Sequence, residues 1–333
     1  MNSMLLDLLR CPATGEKLYL TPESAKSLDE AKSLVAISGN TEYPIVEGIP
    51  RFVPSENYSD SFGVQWNLFR ETQLDSRSGI DASADRFWGA TGWNPNHLEG
   101  KITLDAGCGA GRFAEIAAGS GALVVCIDYS SAVSAAKQNL GDRQNVLVLQ
   151  ADINSLPFAR ESFDYIYSLG VLQHTPDPEQ SFKSLPKFLK SDGHLCADFY
   201  EKSWRSLLHP KYWLRHITTR MPDKVTLRLL KVLIPILYPI GRLITLLPMG
   251  SKLRKIFPIA DPIYFYERRF GKTSMSYKAR LQWSLLDTYD WLTPSHDNPQ
   301  TRQAVSKWAI DADLKEVEIE NAGHLVVRGV RYP

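Results

Sequence analysis

The sequence has few cysteines and no long hydrophobic run. Its four cysteines stand singly at positions 11, 108, 126 and 196. They offer neither a C-x-x-C pair nor a disulfide framework, which is typical of reduced thiols in a cytosolic protein. The longest charge-free apolar run, Val232 to Gly241, has ten residues and contains Pro235 and Pro239. A membrane-spanning helix needs about 20 apolar residues, so this run is too short to cross a bilayer.

The beginning of the chain also lacks the basic start of a secretion signal. Asp7 and Arg10 flank a short apolar stretch, so we expect no export and a cytoplasmic location. With 333 residues, 44% of them hydrophobic and 23% charged, the chain has the composition of a globular protein of about two domains. This composition excludes disordered, collagen-like and coiled-coil proteins, and the core needs no disulfide or metal for stability.

The net charge of +1 conceals a strongly uneven distribution of charge. Residues 202–276 contain 15 Lys and Arg but only three Asp and Glu, a net charge of +12. The rest of the chain contains 23 basic and 34 acidic residues and carries −11. One basic segment inside an acidic protein predicts an anionic partner or surface.

From residue 101 onward, short apolar strands alternate with helices. This alternation predicts a parallel sheet covered by helices on both faces. The predicted strands are 101–105, 122–128, 146–152, 163–169 and 194–200, and the predicted helices are 112–118, 130–140, 179–189 and 301–311. Two last apolar runs, 317–320 and 324–330, predict an antiparallel hairpin that closes the sheet.

We therefore divide the chain into five parts. They are an N-terminal module at 1–55, a helical cap rich in Trp and Phe at 56–100, a core at 101–201, a basic helical insertion at 202–286, and a returning segment at 287–333 that supplies substrate-side residues, the last helix and the hairpin. The N-terminal module resembles the small Trm112-like domain, whose zinc-binding members carry C-P-x-C. Here that stretch reads Cys11-Pro12-Ala13-Thr14, and one thiolate cannot build a tetrahedral zinc site. We expect a metal-free recognition or packing module, and a purely structural appendage remains an alternative.

The strongest motif lies directly after the first predicted core strand. Asp105 is followed by Gly107, Gly109 and Gly111, and a helix begins at Arg112. Glycines allow a tight turn and a close approach to the backbone, and a helix N-terminus offers free N–H groups. The pattern resembles motif I of class I S-adenosylmethionine-dependent methyltransferases. The resemblance implies a Rossmann-like doubly wound α/β fold, glycines that face the amino-acid part of the cofactor, and an acidic residue that helps to place its ammonium group.

Three more features stand where that family needs them. Asp128 ends the second strand and is suited to accept two hydrogen bonds from ribose hydroxyls, with Tyr129 beside it as an adenine contact. Asp152 and Ile153 end the third strand, where the resemblance implies an acceptor for the adenine amino group and an apolar cover for the ring. Leu169, after the fourth strand, belongs to the loop over the methyl group. The expected cofactor is S-adenosylmethionine, and the expected product is S-adenosylhomocysteine.

Candidates for catalysis lie near these motifs. Histidine is the side chain whose charge ordinarily changes nearest to neutral pH, so His174, which follows the fourth strand, is a candidate general base, although it could equally order its loop through a hydrogen bond. The whole chain is similar to bacterial methyltransferases that join a Trm112-like start to F-G-x-Q-W and D-T-x-D-W-like segments. That similarity implies that Gln65 and Trp66 cover the cofactor and that Tyr289 and Asp290 line the substrate pocket. An aromatic core explains the tryptophans of these segments equally well.

The basic insertion contains a predicted amphipathic helix over 225–247, with Arg228, Lys231 and Arg242 among apolar residues. We interpret the insertion as a helical lid over the pocket. Contact with an anionic membrane surface or with an acidic carrier protein remains open, and the positive charge would also suit an anionic substrate.

These observations predict a metal-independent enzyme that transfers a methyl group from S-adenosylmethionine to an oxygen or nitrogen of a small molecule or glycan precursor. An RNA methyltransferase is one alternative, favoured by the basic segment. It is disfavoured because Ser168-Leu169-Gly170-Val171 replaces the N/D-P-P-Y/F tetrad of base-modifying enzymes. A lipid or quinone methyltransferase at the membrane surface is a second hypothesis, and a non-catalytic, cofactor-binding partner protein is a third. The oligomeric state stays open.

Overall fold

The computed structural model describes residues 3–54, 57–141, 143–202, 209–271 and 273–332. Residues 203–208 of the predicted basic insertion and residues 1–2 and 55–56 of the N-terminal part lie outside this range. The N-terminal module contains one short helix and a four-stranded antiparallel sheet in sequential order. Its elements are α1 (Ser3–Asp7), β1 (Leu18–Thr21), β2 (Ser33–Ala36), β3 (Glu42–Val46) and β4 (Ile49–Pro50).

The next segment is entirely helical, as its composition predicted. It contains α2 (Asp60–Leu68), α3 (Asp75–Ser78), α4 (Ala82–Thr91) and α5 (Pro95–Leu98). Gly92 ends α4 in the left-handed conformation that suits glycine at a helix C-terminus. The fully buried Phe87 of α4 packs its ring against Phe113 and Tyr167 and thereby joins this cap to the core.

The core follows the predicted alternation of strands and helices. Its elements are β5 (Ile102–Ala106), α6 (Arg112–Gly119), β6 (Leu123–Asp128), α7 (Val133–Leu140), β7 (Val146–Gln150), β8 (Phe163–Ser168), α8 (Pro178–Ser184) and β9 (Leu189–Phe199). The helix predicted over 179–189 ends at Ser184 because Pro186 lacks an N–H donor, and the chain continues as a short 3₁₀ turn over Leu185–Phe188.

In the described residues of the insertion the chain forms five helices, and the last elements return to the core. The insertion contains α9 (Pro210–Thr218), α10 (Asp223–Ile244), α11 (Gly250–Lys255), α12 (Pro262–Phe270) and α13 (Tyr277–Leu292), and it is followed by α14 (Arg302–Asp311), β10 (Leu314–Asn321) and β11 (Leu325–Arg331). The sequence placed the end of the insertion at residue 286, which lies inside α13. The side chain of Ser276 caps the beginning of this helix, and the helix continues to Leu292. None of the helices in the described ranges is long and apolar enough to cross a membrane.

The seven strands of the main sheet lie in the order β10-β11-β9-β8-β5-β6-β7. The strands from β9 to β7 are parallel neighbours, whereas β11 is antiparallel to both β9 and β10. Every residue of β5 and β7 is buried, as expected for a sheet covered on both faces. The predicted Rossmann-like fold with a C-terminal hairpin is confirmed. The strand order reverses beside β5, the position at which such sheets bind ligands.

The N-terminal module is attached to the free edge of this sheet. The amide of Phe52 donates to the carbonyl of Gln150 at 2.8 Å, and the Arg51 guanidinium donates to the Gln150 side chain at 3.0 Å. A second attachment pairs Leu9 with Phe158. The module therefore covers the β7 edge, which would otherwise expose unpaired backbone groups.

Candidate active site

A glycine turn connects β5 to α6 and shapes the floor of the site. Gly107 and Gly109 have φ angles of 96° and 52°, in the region that favours glycine. A Cβ atom at 107 would lie 2.4 Å from the Cγ1 of Val171, and one at 109 would lie 3.1 Å from the indole of Trp66. Trp66 thus lies against the turn, and the chain leaves no room there for a larger residue.

The other two members of the motif lie behind this turn. A Cβ at Gly111 would lie 2.5 Å from the Cδ1 of Leu140, so this glycine lets α6 pack on α7. Asp105 is 1% exposed and faces the Ala114 amide and the Tyr167 hydroxyl. Burial and the nearby Asp128 carboxylate raise its pKa well above the usual range. The structure does not place Asp105 or Gly111 in the wall of the cavity, because both are covered by neighbouring side chains.

A cavity of about 720 Å³ opens above the turn, within the size range of small-molecule sites. One side lies near the ends of β6 and β7 and includes most of the residues predicted to bind the cofactor, and the opposite side lies near β9 and the beginning of β11. The predicted residues that line the cavity are Gln65, Trp66, Gly107, Gly109, Asp128, Tyr129, Asp152, Ile153, Leu169, His174 and Asp290.

The Asp128 carboxylate is held in a fixed orientation at the end of β6. One oxygen accepts from the Gly109 amide at 2.9 Å, and the other accepts from the amide and hydroxyl of Ser130 at 2.8 and 2.6 Å. Burial raises its pKa, and these hydrogen bonds oppose the rise. A carboxylate has about four lone-pair positions, so Asp128 retains the capacity to accept from a ligand.

Next to Asp128, aromatic and apolar groups form a slot. The ring of Tyr129 stacks on that of Tyr58 with centroids 5.0 Å apart. Asp152 accepts from the Asn154 amide at 2.8 Å, and the nearly buried Ile153 and Leu169 supply apolar wall. The slot combines flat apolar contact with one acceptor, a chemistry that suits a purine ring.

Two segments far apart in the sequence meet inside the cavity. The side-chain amide of Gln65, on α2, donates to the Asp290 carboxylate of α13 at 3.1 Å. Gln65 is 1% exposed, and its Oε1 atom has no hydrogen-bond partner among the residues that the structure describes. A buried acceptor without a donor is costly, which points to a ligand that supplies one.

The helix α13 turns only one of its faces toward the cavity. Asp287 and Asp290 are three residues apart and share this face, whereas Tyr289 points away from it. Tyr289 is 1% exposed and packs in an apolar cluster with Leu230 and Ile234 of α10. The structure therefore does not bring Tyr289 into the cavity, because each step along a helix rotates the side chain by about 100°.

The sequence reasoning missed Asp287, which is the most perturbed carboxylate of the cavity wall. Burial and the neighbouring Asp290 raise its pKa to about 7, against the opposing effect of Arg112. One of its oxygens accepts from the Gln73 amide at 2.9 Å. Asp287 and Asp290 are three residues apart, so they lie on the same face of a helix. This spacing is the signal in the sequence that could have identified Asp287.

Two arginines of the cavity were also missed. Arg112, the residue after the third glycine, donates to the Ser83 hydroxyl at 2.8 Å and to the Gln73 side chain at 3.0 Å. Burial and the nearby Arg86 lower its pKa to about 9. Arg86 pairs with the buried Asp198 at 2.9 Å. Although burial alone would raise the pKa of Asp198, Arg86 holds it below the usual range.

His174 lies in the cavity wall and is held through one of its ring nitrogens. Its Nδ1 lies 2.9 Å from the carbonyl oxygen of His296, and a carbonyl only accepts, so Nδ1 carries the proton. The ring packs against Phe62 and Tyr200 with centroid distances of 5.3 and 5.5 Å. Its Nε2 is buried and has no hydrogen-bond partner in the described part of the chain.

His324 also lines the cavity and was not predicted either. It precedes β11 and lies 5.5 Å from the Tyr200 ring, measured between centroids. Burial and the positive charge of Arg86 lower its pKa to about 4, so the imidazole is neutral at physiological pH.

A family model and several known proteins match parts of this chain. Residues 104–197 match a family model described as a methyltransferase domain. Ubiquinone biosynthesis O-methyltransferase of Coxiella burnetii is 28% identical over 127 residues, which cover 38% of this chain and 54% of the relative. The enzyme of the same name from Alkalilimnicola ehrlichii is 30% identical over 149 residues, which cover 39% and 60%. The chain spans about half the length of the curated relatives it matches.

The solved structures with a similar fold include magnesium protoporphyrin IX methyltransferase from Synechocystis with bound S-adenosylhomocysteine. It shares 16% identity over 82% of this chain and 96% of that one, with a TM-score of 0.44. The matched family model spans the glycine turn, Asp128, Asp152 and Leu169. Residues 104–197 therefore form a methyltransferase domain, and the predicted class I core is confirmed for this stretch.

Proposed function

We propose that the protein transfers a methyl group from S-adenosylmethionine to an oxygen or nitrogen atom of a small molecule or glycan precursor. The observation that carries the proposal is that the glycine turn and Asp128 share one cavity with a charged cluster of Asp287, Asp290 and Arg112. The relatives named for ubiquinone biosynthesis support an oxygen acceptor. They do not identify the acceptor, because at 28% identity the matched stretch covers only 38% of this chain.

The residues of the cavity fit this cofactor. The Asp128 carboxylate would accept from a ribose hydroxyl through its remaining lone pair, Asp152 would accept from the adenine amino group, and the glycine turn would contact the amino-acid part. The unpartnered Oε1 of Gln65 is an acceptor suited to an ammonium group. When bound, the cofactor supplies an electrophilic methyl group on a sulfonium that is already a good leaving group.

The chain must then align the acceptor and, for a hydroxyl, remove its proton. We assign the proton-acceptor role to Asp287, because burial and Asp290 bring its pKa to about 7, where a base is partly ionised and still strong. Arg112 faces the same cluster and would hold an anionic or carbonyl group of the acceptor. His174 remains the alternative base, since its ring lines the cavity and its Nε2 has no hydrogen-bond partner among the described residues. Its bond to the His296 carbonyl supports a positioning role instead.

Calorimetry with S-adenosylhomocysteine tests the cofactor site. We expect saturable binding by the wild type, a loss of about tenfold or more in Asp128→Asn, and no change in Glu23→Gln, which alters an exposed carboxylate outside the cavity. Failure of the wild-type protein to bind at millimolar ligand would refute the proposal. Methyl-labelled cofactor and fractionated cell extract, followed by mass analysis of labelled products, would identify the acceptor.

A further inference from the structure

The insertion exposes an unusual amount of apolar side chain. Of the 26 large apolar residues that are exposed on the described chain, 17 lie between Trp213 and Tyr277. Isolated exposed apolar residues are common, but contiguous patches mark interaction sites. The insertion is therefore the part of the surface at which to search for a partner.

The helix α10 arranges these residues in a stripe. Its inner face is used by the fold, because Leu230, Ile234 and Tyr238 are almost fully buried against α13. Its outer face is apolar as well, and Val232 and Leu243 are 61% and 63% exposed. At spacings of three or four residues, the outer stripe consists of Val225, Leu229, Val232, Ile236, Ile240 and Leu243.

Positive charges without counter-charges lie around this stripe. Arg228 is three residues after Val225 and four before Val232, so it borders the stripe directly. Six exposed bases at α10 and α11 and just before them have no carboxylate within ion-pair distance in the described ranges: Arg220, Lys224, Arg228, Lys231, Lys252 and Lys255.

Other bases of the insertion are neutralised internally. Arg242 bonds to Asp261 and Glu267 at 2.8 and 3.0 Å, and Arg254 lies 3.6 Å from Asp261. Arg242 thus belongs to the interior of the insertion and not to its charged surface. Among the described residues, three of the exposed bases without a carboxylate partner, Lys224, Arg228 and Lys231, lie on α10 itself, the helix that carries the apolar stripe.

We propose that the outer face of α10 docks on the surface of an anionic phospholipid bilayer. A helix with an apolar stripe bordered by Lys and Arg lies in the membrane interface, with the apolar side chains among the acyl chains and the bases at the anionic headgroups. A second copy of the chain is a poorer occupant, because a symmetric contact would bring two sets of uncompensated cations together. The proposal goes beyond methyl transfer and does not depend on it.

The helix that would dock packs against a helix that lines the cavity. α11 packs against α10 at Gly241, where Phe257 and Arg254 lie 3.1 and 3.2 Å from the position that a Cβ atom would take. Lys255 of α11 and Phe265 of α12 are exposed and lie on the rim of the cavity.

Vesicle flotation with the full chain tests the proposal. We expect the protein to float with vesicles that contain about one third phosphatidylglycerol and to bind far less to pure phosphatidylcholine, with binding to the anionic vesicles reduced by salt. Each basic residue near an anionic surface contributes roughly a fivefold change in partition. Arg228→Glu/Lys231→Glu should therefore reduce binding by more than about tenfold.

Matched variants separate docking from folding. Val232→Glu/Ile236→Glu should abolish flotation, whereas Ile37→Glu/Ile310→Glu, which alters apolar residues of similar exposure outside the insertion, should leave it unchanged. Lys187→Glu/Lys307→Glu is the matched control for charge. Thermal melting and S-adenosylhomocysteine binding of every variant report on folding and on the cofactor site, so a failure of docking is distinguishable from a failure of the proposed activity.

Three outcomes would overturn the proposal. The first is absence of wild-type binding to the anionic vesicles, and the second is an equal loss of binding in the control variants. The third is a stable dimer in sedimentation velocity that Val232→Glu/Ile236→Glu dissociates while vesicles remain unbound, which would assign the stripe to a second copy of the chain.

Discussion

Replacing Asp287 by Asn should make the protein more stable and less active at the same pH. The pKa of this carboxyl is raised from 3.8 to about 7 by burial and by Asp290. The folded protein therefore holds a proton that the unfolded chain releases near pH 4. The stabilisation that this proton provides is therefore fully present below about pH 4, and it is lost as the pH rises through 7. A difference of about three pKa units corresponds to about 4 kcal/mol, the upper limit of the stabilisation by Asp287→Asn above pH 7.

The same substitution removes the proposed base. We expect kcat to fall by about 100-fold to 10,000-fold, and the rise of kcat/KM through pH 7 to disappear. Denaturant unfolding of wild type and variant between pH 4 and 8 measures the stability without any acceptor, and the pH-rate profile requires the acceptor found with labelled cofactor. Asp290→Asn serves as a second arm, because removal of its charge should move the rise in activity to lower pH.

Two results would refute this reasoning. If Asp287→Asn destabilised the protein at pH 8, burial of the ionised Asp287 carboxylate would not be unfavourable, and the raised pKa of this group would be wrong. If the rise through pH 7 survived in Asp287→Asn but vanished in His174→Gln, the base would be His174. A variant of a positioning residue should instead lower kcat/KM at all pH values and keep the shape of the profile.

Substitutions at four other positions probe the cavity and the residues that pack behind it. Gly107→Ala should abolish S-adenosylhomocysteine binding in calorimetry and cost about 1–3 kcal/mol in denaturant unfolding, because its Cβ would lie 2.4 Å from a valine methyl. Asp198→Asn should cost about 3 kcal/mol in the same assay, since it leaves Arg86 without its buried partner; equal stability of this variant would argue against the pair. The contribution of His324 to stability should fall by up to about 3 kcal/mol from pH 6.5 to pH 4, because the unfolded chain protonates His324 while the folded chain keeps it neutral. The wild type should therefore lose this stability relative to His324→Gln over the same range, since the opposite contribution of Asp287 is common to both proteins. Tyr289→Ala should cost about 3–5 kcal/mol, whereas Tyr289→Phe should keep full activity; loss of kcat in the Phe variant would return Tyr289 to the active site.

The sequence was most informative where function depends on short stretches of chain. The glycine turn, Asp128 and Asp152 each follow a buried strand, and parallel strands bring their carboxyl ends to one edge of the sheet. The positions of the strand ends in the sequence therefore predict that these groups lie close together, and no long-range contact needs to be known. Leu169 reaches the same edge for the same reason.

The sequence was least informative where a wall is built by distant segments. Arg86 enters the site only because α4 packs on the sheet beside Asp198, a contact that spans 112 positions in the sequence. The pair Gln65 and Asp290 spans 225 positions. Local pattern places each residue on its own helix, but it does not show which faces meet. Tyr289 illustrates the limit. The D-T-x-D-W-like segment occupies five consecutive positions of α13, and five consecutive residues of a helix cannot all face one pocket.

The helix α13 connects the cavity with the proposed docking surface. One of its faces carries Asp287 and Asp290 into the cavity, and the other packs Tyr289 and Leu292 against the inner face of α10. The outer face of α10 is the proposed docking surface. A single layer of buried side chains therefore separates the proposed docking surface from the helix that holds the proposed base. The insertion cannot be an independent appendage, because removing α10 would expose the apolar back of the helix that holds these carboxylates.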